Sequence, residues 1–161
     1  MHRVEQFFGH LTARVGPHET EFAHGILPAG SWPLFEAMPV ADRRHALDVV
    51  QRLLAGGHDD PDLMAAALLH DAAKGHRVRL WHRVAGVMLE AAAPRLLARL
   101  GSVDQRSARY PFHLYLHHAE ISANAALVAG CSGRTAALIR GQASSDDVGL
   151  AAALAAADEA S

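Results

Sequence analysis

The sequence is poor in cysteine, in lysine and in aromatic side chains. Cys131 is the only cysteine, so the chain can form neither an internal disulfide nor a thiolate zinc cluster. No excess of positive charge is present, because 15 Lys and Arg residues stand against 17 Asp and Glu. A balance of this kind argues against a basic surface for nucleic acids. We therefore expect a protein that binds no nucleic-acid duplex.

Long hydrophobic runs are also missing. The longest apolar stretches, such as Met64–Leu69 and Leu150–Ala157, are far shorter than the ~18–20 residues that a membrane-spanning helix needs. The first residues, Met1–Gln6, include an acid and a glutamine where a signal peptide would begin its apolar run. Together these features predict a cytoplasmic protein with no membrane partner.

Alanine and leucine dominate the residues that are present. Alanine makes up about a fifth of the chain, and β-branched residues are sparse. Both alanine and leucine favour helices. A length of 161 residues fits one domain, and we find no repeat, no linker and no strand-like alternation. The sequence therefore predicts an all-α, single-domain bundle of seven to nine helices.

Glycine, proline and small polar residues divide the chain into predicted helices. Residues 1–40 are predicted to form a helical extension that packs on the core, and residues 41–161 the main domain. Proline at position 94 is expected to kink a long helix. The predicted helices are Val4–Val15, His18–Ile26, Trp32–Met38, Ala41–Leu54, Leu63–Lys74, Val78–Leu100, Phe112–Ala129, Thr135–Arg140 and Asp146–Ala160.

Histidine is unusually frequent, with 12 residues, and this frequency suggests metal ligands. His70 and Asp71 are adjacent near the end of the most apolar predicted helix. Burying an imidazole and a carboxylate is costly unless each is paired or bound to a metal. A divalent cation held between helices meets this need. On these two residues alone, a His–Asp hydrogen bond near a helix end is the alternative.

Histidine and aspartate occur at a characteristic spacing in three separate segments of the chain. His45 lies 25 residues before the adjacent His70 and Asp71, a gap that fits one helix end, a loop and a further helix. The segments are Arg44–Val50 (RHALDVV), Ala66–Lys74 (AALLHDAAK) and Ala157–Ala160 (ADEA). On these residues the chain resembles the HD-domain superfamily of metal-dependent phosphohydrolases, which is named for its His…His-Asp…Asp ligand set. The resemblance covers roughly residues 41–160, and it implies that residues 41–161 form an HD domain.

The resemblance implies a metal centre. It assigns one divalent metal ion, which could be Mn, Fe, Ni, Zn or Mg, to the ligands His45, His70, Asp71 and Asp158. Asp146 and Asp147 remain open as alternatives for the last ligand. Both open a predicted helix, where an acidic residue has an independent reason to occur.

The resemblance also implies catalytic residues. A metal-bound water would attack phosphorus, and Asp71 would orient that water. Lys74 matches the lysine of the family's HDxGK motif and would contact the substrate phosphate; the alternative is a lysine that complements a helix C-terminus. His118 lies in Leu116–Leu127, which resembles the family's HPEIGA helix. His118 would act as a general acid or would donate a hydrogen bond to the phosphate. A position on the surface, or behind the residues that contact the substrate, remains open as the alternative.

Two departures from the family pattern narrow the expected function. The glycine of the motif is Ala73 here, and Gly141 and Gln142 stand where two-metal members carry two histidines. We therefore expect one metal and disfavour cleavage of a cyclic dinucleotide. The expected activity is hydrolysis of a nucleotide or another small phosphorylated substrate. The alternative is a catalytically degraded HD-domain module that senses a nucleotide or a metal. A two-iron oxygenase would need more core histidines than the sequence offers.

Overall fold

The structure is a computed structural model that describes residues 14–78 and 80–161. The residues Met1–Gln6 and most of the helix predicted at Val4–Val15 lie outside these ranges. The last two residues of that prediction, Arg14 and Val15, are described and are not helical.

All regular secondary structure in the described ranges is helical, and no strand occurs there. This confirms the all-α prediction, and the number of helices described is within the predicted seven to nine. Short 3₁₀ turns occur at Gly75–Arg77 and Ser145–Asp147. The helices are α1 (Pro17–Ile26), α2 (Trp32–Glu36), α3 (Val40–Ala55), α4 (Pro61–Leu69), α5 (Leu80–Ala92), α6 (Pro94–Leu100), α7 (Tyr110–Val128), α8 (Gly133–Arg140) and α9 (Val148–Ala160).

Side-chain caps explain where two of the central helices begin. The carboxylate of Asp60 accepts hydrogen bonds from the first backbone N–H groups of α4. The hydroxyl of Ser132 accepts one from the N–H of Thr135 in α8, at 2.9 Å. Such caps satisfy N–H groups that have no partner within the helix. Gly141 ends α8 in the left-handed region, with φ 67°, a conformation that glycine adopts without strain.

Helix α4 ends five residues earlier than the sequence predicts, at Leu69 and not at Lys74. The backbone N–H of Ala73 donates to the hydroxyl of Ser122 on α7, at 3.0 Å, and not to a carbonyl of its own helix. Ser122 is fully buried. This bond between helices replaces a bond within α4, so residues 70–74 form a turn that packs against α7.

Two other predicted boundaries also differ. The predicted helix Val78–Leu100 is two helices, because Pro94 begins α6 instead of kinking one continuous helix. Proline lacks the N–H that a helix interior uses and is well suited to the first helical position. The last helix begins at Val148, two residues later than predicted, and a 3₁₀ turn precedes it.

Helix α4 forms the centre of the molecule. Every residue from Leu63 to Leu69 is buried, and α4 contacts α1, α2, α3, α7, α8 and α9. Apolar residues of the first 40, including Ala23, Leu27 and Phe35, belong to the same core. The turn that carries His70 and Asp71 therefore begins in the middle of the bundle, where side chains from several helices can reach it.

An ion-pair cluster joins α4, α8 and the turn before α9. The guanidinium of Arg134 lies 2.7 Å from Asp60, 3.3 Å from Asp62 and 2.7 Å from Asp147. Asp62 also accepts hydrogen bonds from the hydroxyls of Ser132 and Thr135. These contacts fix the ends of three elements relative to one another.

No helix in the described residues has the length and apolar character needed to cross a bilayer.

Candidate metal centre

Two histidines and one aspartate from distant parts of the chain meet beside α4. His45 comes from α3, His70 from the turn after α4, and Asp158 from α9. Oδ1 of Asp158 lies 2.8 Å from Nε2 of His45 and 3.4 Å from Nε2 of His70. One ligand atom from each of the three residues lies within 4.8 Å of the others. Imidazole nitrogens and a carboxylate oxygen are normal ligands of zinc and of first-row divalent metals.

The ring of His70 is oriented so that Nε2 faces this cluster. Its Nδ1–H donates to the carbonyl oxygen of Ala67, at 2.9 Å, because a carbonyl can only accept. In the neutral ring, the lone pair is therefore on Nε2. That atom is buried and has no hydrogen-bond partner among the described residues. A buried nitrogen without a partner is costly, and metal-binding histidines are oriented by such carbonyl bonds. These residues therefore fit a divalent cation.

The charges around His70 favour a cation at this position. Burial alone lowers the pKa of His70, but the carboxylates of Asp71 and Asp158 outweigh it and raise the pKa to about 9. Burial raises the pKa of Asp158, yet the nearby imidazoles of His45 and His70 hold that pKa well below its usual range. A positive charge, supplied by a proton on His70 or by a metal ion, is thus stabilised between the two carboxylates.

Asp71 lies beside the three-residue cluster and is paired with Lys74. Its Oδ1 is 3.7 Å from Nε2 of His70. The ammonium nitrogen of Lys74 lies 2.6 Å from Oδ1 and donates a hydrogen bond to Oδ2 at 2.7 Å. Burial raises the pKa of Asp71, but the positive charges of His70, Lys74 and His118 outweigh it and hold the pKa well below its usual range. The structure thus places Asp71 next to the cluster with its carboxylate already bound to a cation.

The position of Lys74 bears on its alternative role. A lysine that complements the C-terminus of a helix belongs in the last turn. Because α4 ends at Leu69, Lys74 lies beyond that turn, and its ammonium contacts Asp71 instead. The alternative role at the C-terminus of α4 is therefore disfavoured.

His118 approaches the same carboxylate from α7. Its Nδ1–H donates to the carbonyl oxygen of Tyr115, at 2.8 Å, and its Nε2 lies 3.6 Å from Oδ1 of Asp71. Burial and the nearby Lys74 ammonium lower the pKa of His118. The ring is therefore neutral near neutral pH, with the lone pair on Nε2. The structure brings His118 into the group that surrounds Asp71.

The two alternative ligands lie elsewhere. Asp147 is bound to Arg134, and Asp146 accepts a hydrogen bond from the neighbouring Ser145 at 3.4 Å. Neither belongs to the group of possible metal ligands that contains Asp158. Of the three candidates for the last ligand, Asp158 is the one that lies beside the two histidines.

A cleft of about 230 Å³ opens beside these residues. This volume is below the ~300–1,000 Å³ of pockets for drug-sized ligands, so the cleft suits a small group. His70, His118 and Asp158 form its polar wall. The rest of the lining consists of Ala119, Leu138, Ile139, Ala151, Leu154 and Ala155, together with Arg140 and Gly141.

Arg140 is the residue of this cleft that the sequence analysis did not single out. It appears there only as the last residue of the predicted helix Thr135–Arg140. A signal was present in α7, where Glu120 and Asn124 are four residues apart and so share one face of the helix. These side chains reach Arg140 because α7 packs against α8. The local sequence pattern does not predict that packing.

The chain was compared with protein-family models, with curated proteins and with solved structures, and none of the three comparisons gives a match.

Proposed function

We propose that the protein is a metal-dependent phosphohydrolase of the HD-domain type that acts on a nucleotide or another small phosphate ester. The observation that carries the proposal is the buried Nε2 of His70, which has no hydrogen-bond partner in the described residues and lies next to His45 and Asp158. The resemblance of the His45, His70–Asp71 and Asp158 segments to the HD-domain pattern supports the same function.

The metal would be held by His45, His70 and Asp158. Asp71 is the candidate for a fourth ligand because its Oδ1 is 3.7 Å from Nε2 of His70. A divalent cation bound there would act as a Lewis acid on a phosphoryl oxygen and would lower the pKa of water. Gly141 and Gln142 offer no imidazole, so one metal per chain is expected.

Two further residues would act on substrate. The Lys74 ammonium would bind the phosphate as a compact positive charge, in place of part of its contact with Asp71. Nε2 of His118 would take up a proton released in the cleft, since its lone pair is free when the ring is neutral. If His118 instead gave a proton or a hydrogen bond from Nε2 to the phosphate, as expected from the sequence, its ring would have to be protonated. Asp71 would keep the Lys74 ammonium and the His118 ring in place.

The alternative is an HD-domain module that binds a nucleotide or a metal without turnover. The observation in its favour is the lack of imidazoles at positions 141 and 142. The pairing of Asp71 with Lys74 also favours it, because the chain's own ammonium already neutralises that carboxylate. The two functions share the metal centre and differ only in turnover.

Metal content tests the shared part of the proposal. Elemental analysis of the purified protein is expected to give about one divalent metal per chain. His70→Ala and Asp158→Asn are expected to lose it, because each removes a ligand atom from the cluster. His18→Ala is the matched control, since His18 is exposed on α1. Equal metal in the wild type and in His70→Ala would contradict the metal centre, and two metals would contradict the single site.

Turnover separates the two functions. The metal-loaded protein is incubated with nucleoside monophosphates and small sugar phosphates, and released inorganic phosphate is measured. The phosphohydrolase proposal predicts release that is lost in His70→Ala and retained in His18→Ala. Binding of metal without release from any member of the panel would favour the sensing module.

A further inference from the structure

Among the described residues that line the cleft, Arg140 is the only arginine or lysine. It ends α8, and only 17% of its side chain is exposed. Its Nε donates to Oε2 of Glu120 at 2.8 Å, and its Nη2 donates to Oδ1 of Asn124 at 2.6 Å. Two of the three guanidinium nitrogens are therefore held by side chains of α7.

Glu120 and Asn124 also bind each other. The amide of Asn124 donates to Oε1 of Glu120 at 3.2 Å. Both carboxylate oxygens of Glu120 are thus occupied, and the three side chains form a closed ring of hydrogen bonds. Within the part of the chain that is described, Nη1 of Arg140 makes no hydrogen bond. The ring fixes the plane of the guanidinium and leaves N–H donors of Nη1 and Nη2 for a ligand.

A purely structural role would also use an arginine at this place. Arg140 links α7 to α8 and complements the C-terminus of α8. However, Glu120 is about half exposed, and exposed ion pairs contribute little to stability. A link between two helices also does not require the cation to lie on the wall of a cleft that contains His118 and Asp158.

We propose that Arg140 is the phosphate-binding residue of this cleft and that Glu120 and Asn124 are its positioning residues. The inference rests on the proposed function, which it deepens by naming a second group, besides Lys74, that binds the substrate's phosphate. A guanidinium with two free N–H directions binds a phosphate oxyanion through paired hydrogen bonds. The small volume of the cleft limits the substrate to a phosphomonoester whose organic part is small or lies outside the cleft.

Inorganic phosphate is the probe that tests this proposal. Its dissociation constant is measured by titration calorimetry on the wild type and on Arg140→Met, with the metal removed and again with Mn²⁺ added. We expect Arg140→Met to raise the dissociation constant roughly 10–100-fold, the scale of a charge-assisted hydrogen bond. Arg140→Lys is expected to be intermediate, because an ammonium cannot make the paired bonds. Arg52→Met is the matched control, since Arg52 lies on α3 and bonds Ser161.

Glu120→Gln separates anion binding from a structural link. The amide keeps the size of Glu120 and one oxygen that can accept from Arg140, so we expect phosphate binding to weaken less than fivefold, roughly, with the melting temperature nearly unchanged. A structural link predicts that Arg140→Met lowers the melting temperature and leaves phosphate binding unchanged. That result, or a wild type that does not bind phosphate, would overturn the proposal.

Failure of the proposed function gives a different result. If His70→Ala keeps its metal while Arg140→Met loses phosphate binding, the metal centre is wrong and the phosphate site stands. If His70→Ala loses the metal while Arg140→Met binds phosphate as the wild type does, the metal centre stands and the role of Arg140 is wrong.

Discussion

Lys74 is the single lysine of a chain that has 14 arginines, and its ammonium neutralises a carboxylate that is almost fully buried. Only 3% of the Asp71 side chain is exposed. Without Lys74, this carboxylate keeps the positive charge of His70 but loses its ion-paired ammonium, and breaking a buried ion pair is costly. Replacing Lys74 is therefore expected to affect both the stability of the fold and the binding of phosphate, and two substitutions can separate these effects.

Lys74→Ala is expected to destabilise the metal-free protein by about 3–5 kcal/mol, the cost of breaking a buried ion pair. Lys74→Arg keeps a cation and is expected to cost less. Both variants are expected to lower kcat/KM for phosphate release roughly 10–100-fold, because a guanidinium is wider than an ammonium and alanine has no charge. Urea unfolding and steady-state kinetics measure the two effects. An unchanged kcat/KM in Lys74→Ala would remove Lys74 from the proposed site.

The candidate metal centre was partly predictable from residue spacing. The placement of His45, His70 and Asp158 beside one another follows the spacing that the sequence shares with the HD-domain pattern. The pairing of Asp71 with Lys74 and the ring around Arg140 were not predicted. The ring depends on where α7 packs, because Glu120 reaches Arg140 only across an interface between helices. The pairing depends on the turn at residues 70–74, which brings Lys74 to Asp71 three residues earlier.

At the scale of the elements, the helices themselves were predictable and several of their ends were not. Apolar spacing and turn residues locate each helix in the described ranges, except that α5 and α6 are predicted as one. The end of α4 depends on Ser122, which lies 49 residues beyond the Ala73 N–H that it binds. Ala72 and Ala73 favour a helix by themselves, so no local rule would have ended α4 at Leu69. A tertiary hydrogen bond overrides local preference there.

The approach of the loop after α1 to the end of α7 predicts the effect of a single methyl group. A Cβ at Gly30 would lie 2.5 Å from the backbone carbonyl oxygen of Ala129. Backbone cannot yield as a flexible side chain can, so we expect Gly30→Ala to lower the free energy of unfolding by about 1–3 kcal/mol. Urea unfolding measures the change.

Gly25 provides the matched control. It lies inside α1, and a Cβ there would have no neighbour within 4 Å. Gly25→Ala is expected to be neutral or to stabilise by about 0.5–1 kcal/mol, because alanine loses less backbone entropy in a helix. Equal effects of the two substitutions would show that the loop does not approach α7 as described.

At the scale of the whole molecule, stability depends on groups that titrate at opposite ends of the pH range: the carboxyl groups of Asp62, Asp71 and Asp158 on the acidic side, and His70 on the basic side. Burial raises the pKa of Asp62, but its bonds to Ser132, Thr135 and Arg134 outweigh burial and lower it. The pKa of His70 is raised to about 9. A lowered carboxyl pKa stabilises the fold above the ordinary value of ~3.9, and a raised imidazole pKa stabilises it below the ordinary value of ~6.5.

The metal-free protein is therefore expected to be most stable between these limits. Stability is lost in acid as pH falls through the lowered pKa of Asp62, and in base as pH rises from ~6.5 through the pKa of His70, about 9. Urea unfolding over this range measures the profile. Asp62→Asn is expected to reduce the acidic limb, to which Asp71 and Asp158 also contribute, and His70→Gln is expected to flatten the basic limb. A basic limb that persists in His70→Gln would assign it to another group.

The position of Asp158 on α9 also determines when the centre can form during synthesis. Asp158 follows His45 by 113 residues, and ribosomes add ~5–20 residues per second. His45 and His70 therefore leave the ribosome several seconds before the carboxylate that completes their cluster. A nascent chain has the two imidazoles but lacks Asp158, so the proposed metal ion cannot reach all three candidate ligands until translation has passed α9. Metal occupancy would thus distinguish chains that include α9 from truncated ones.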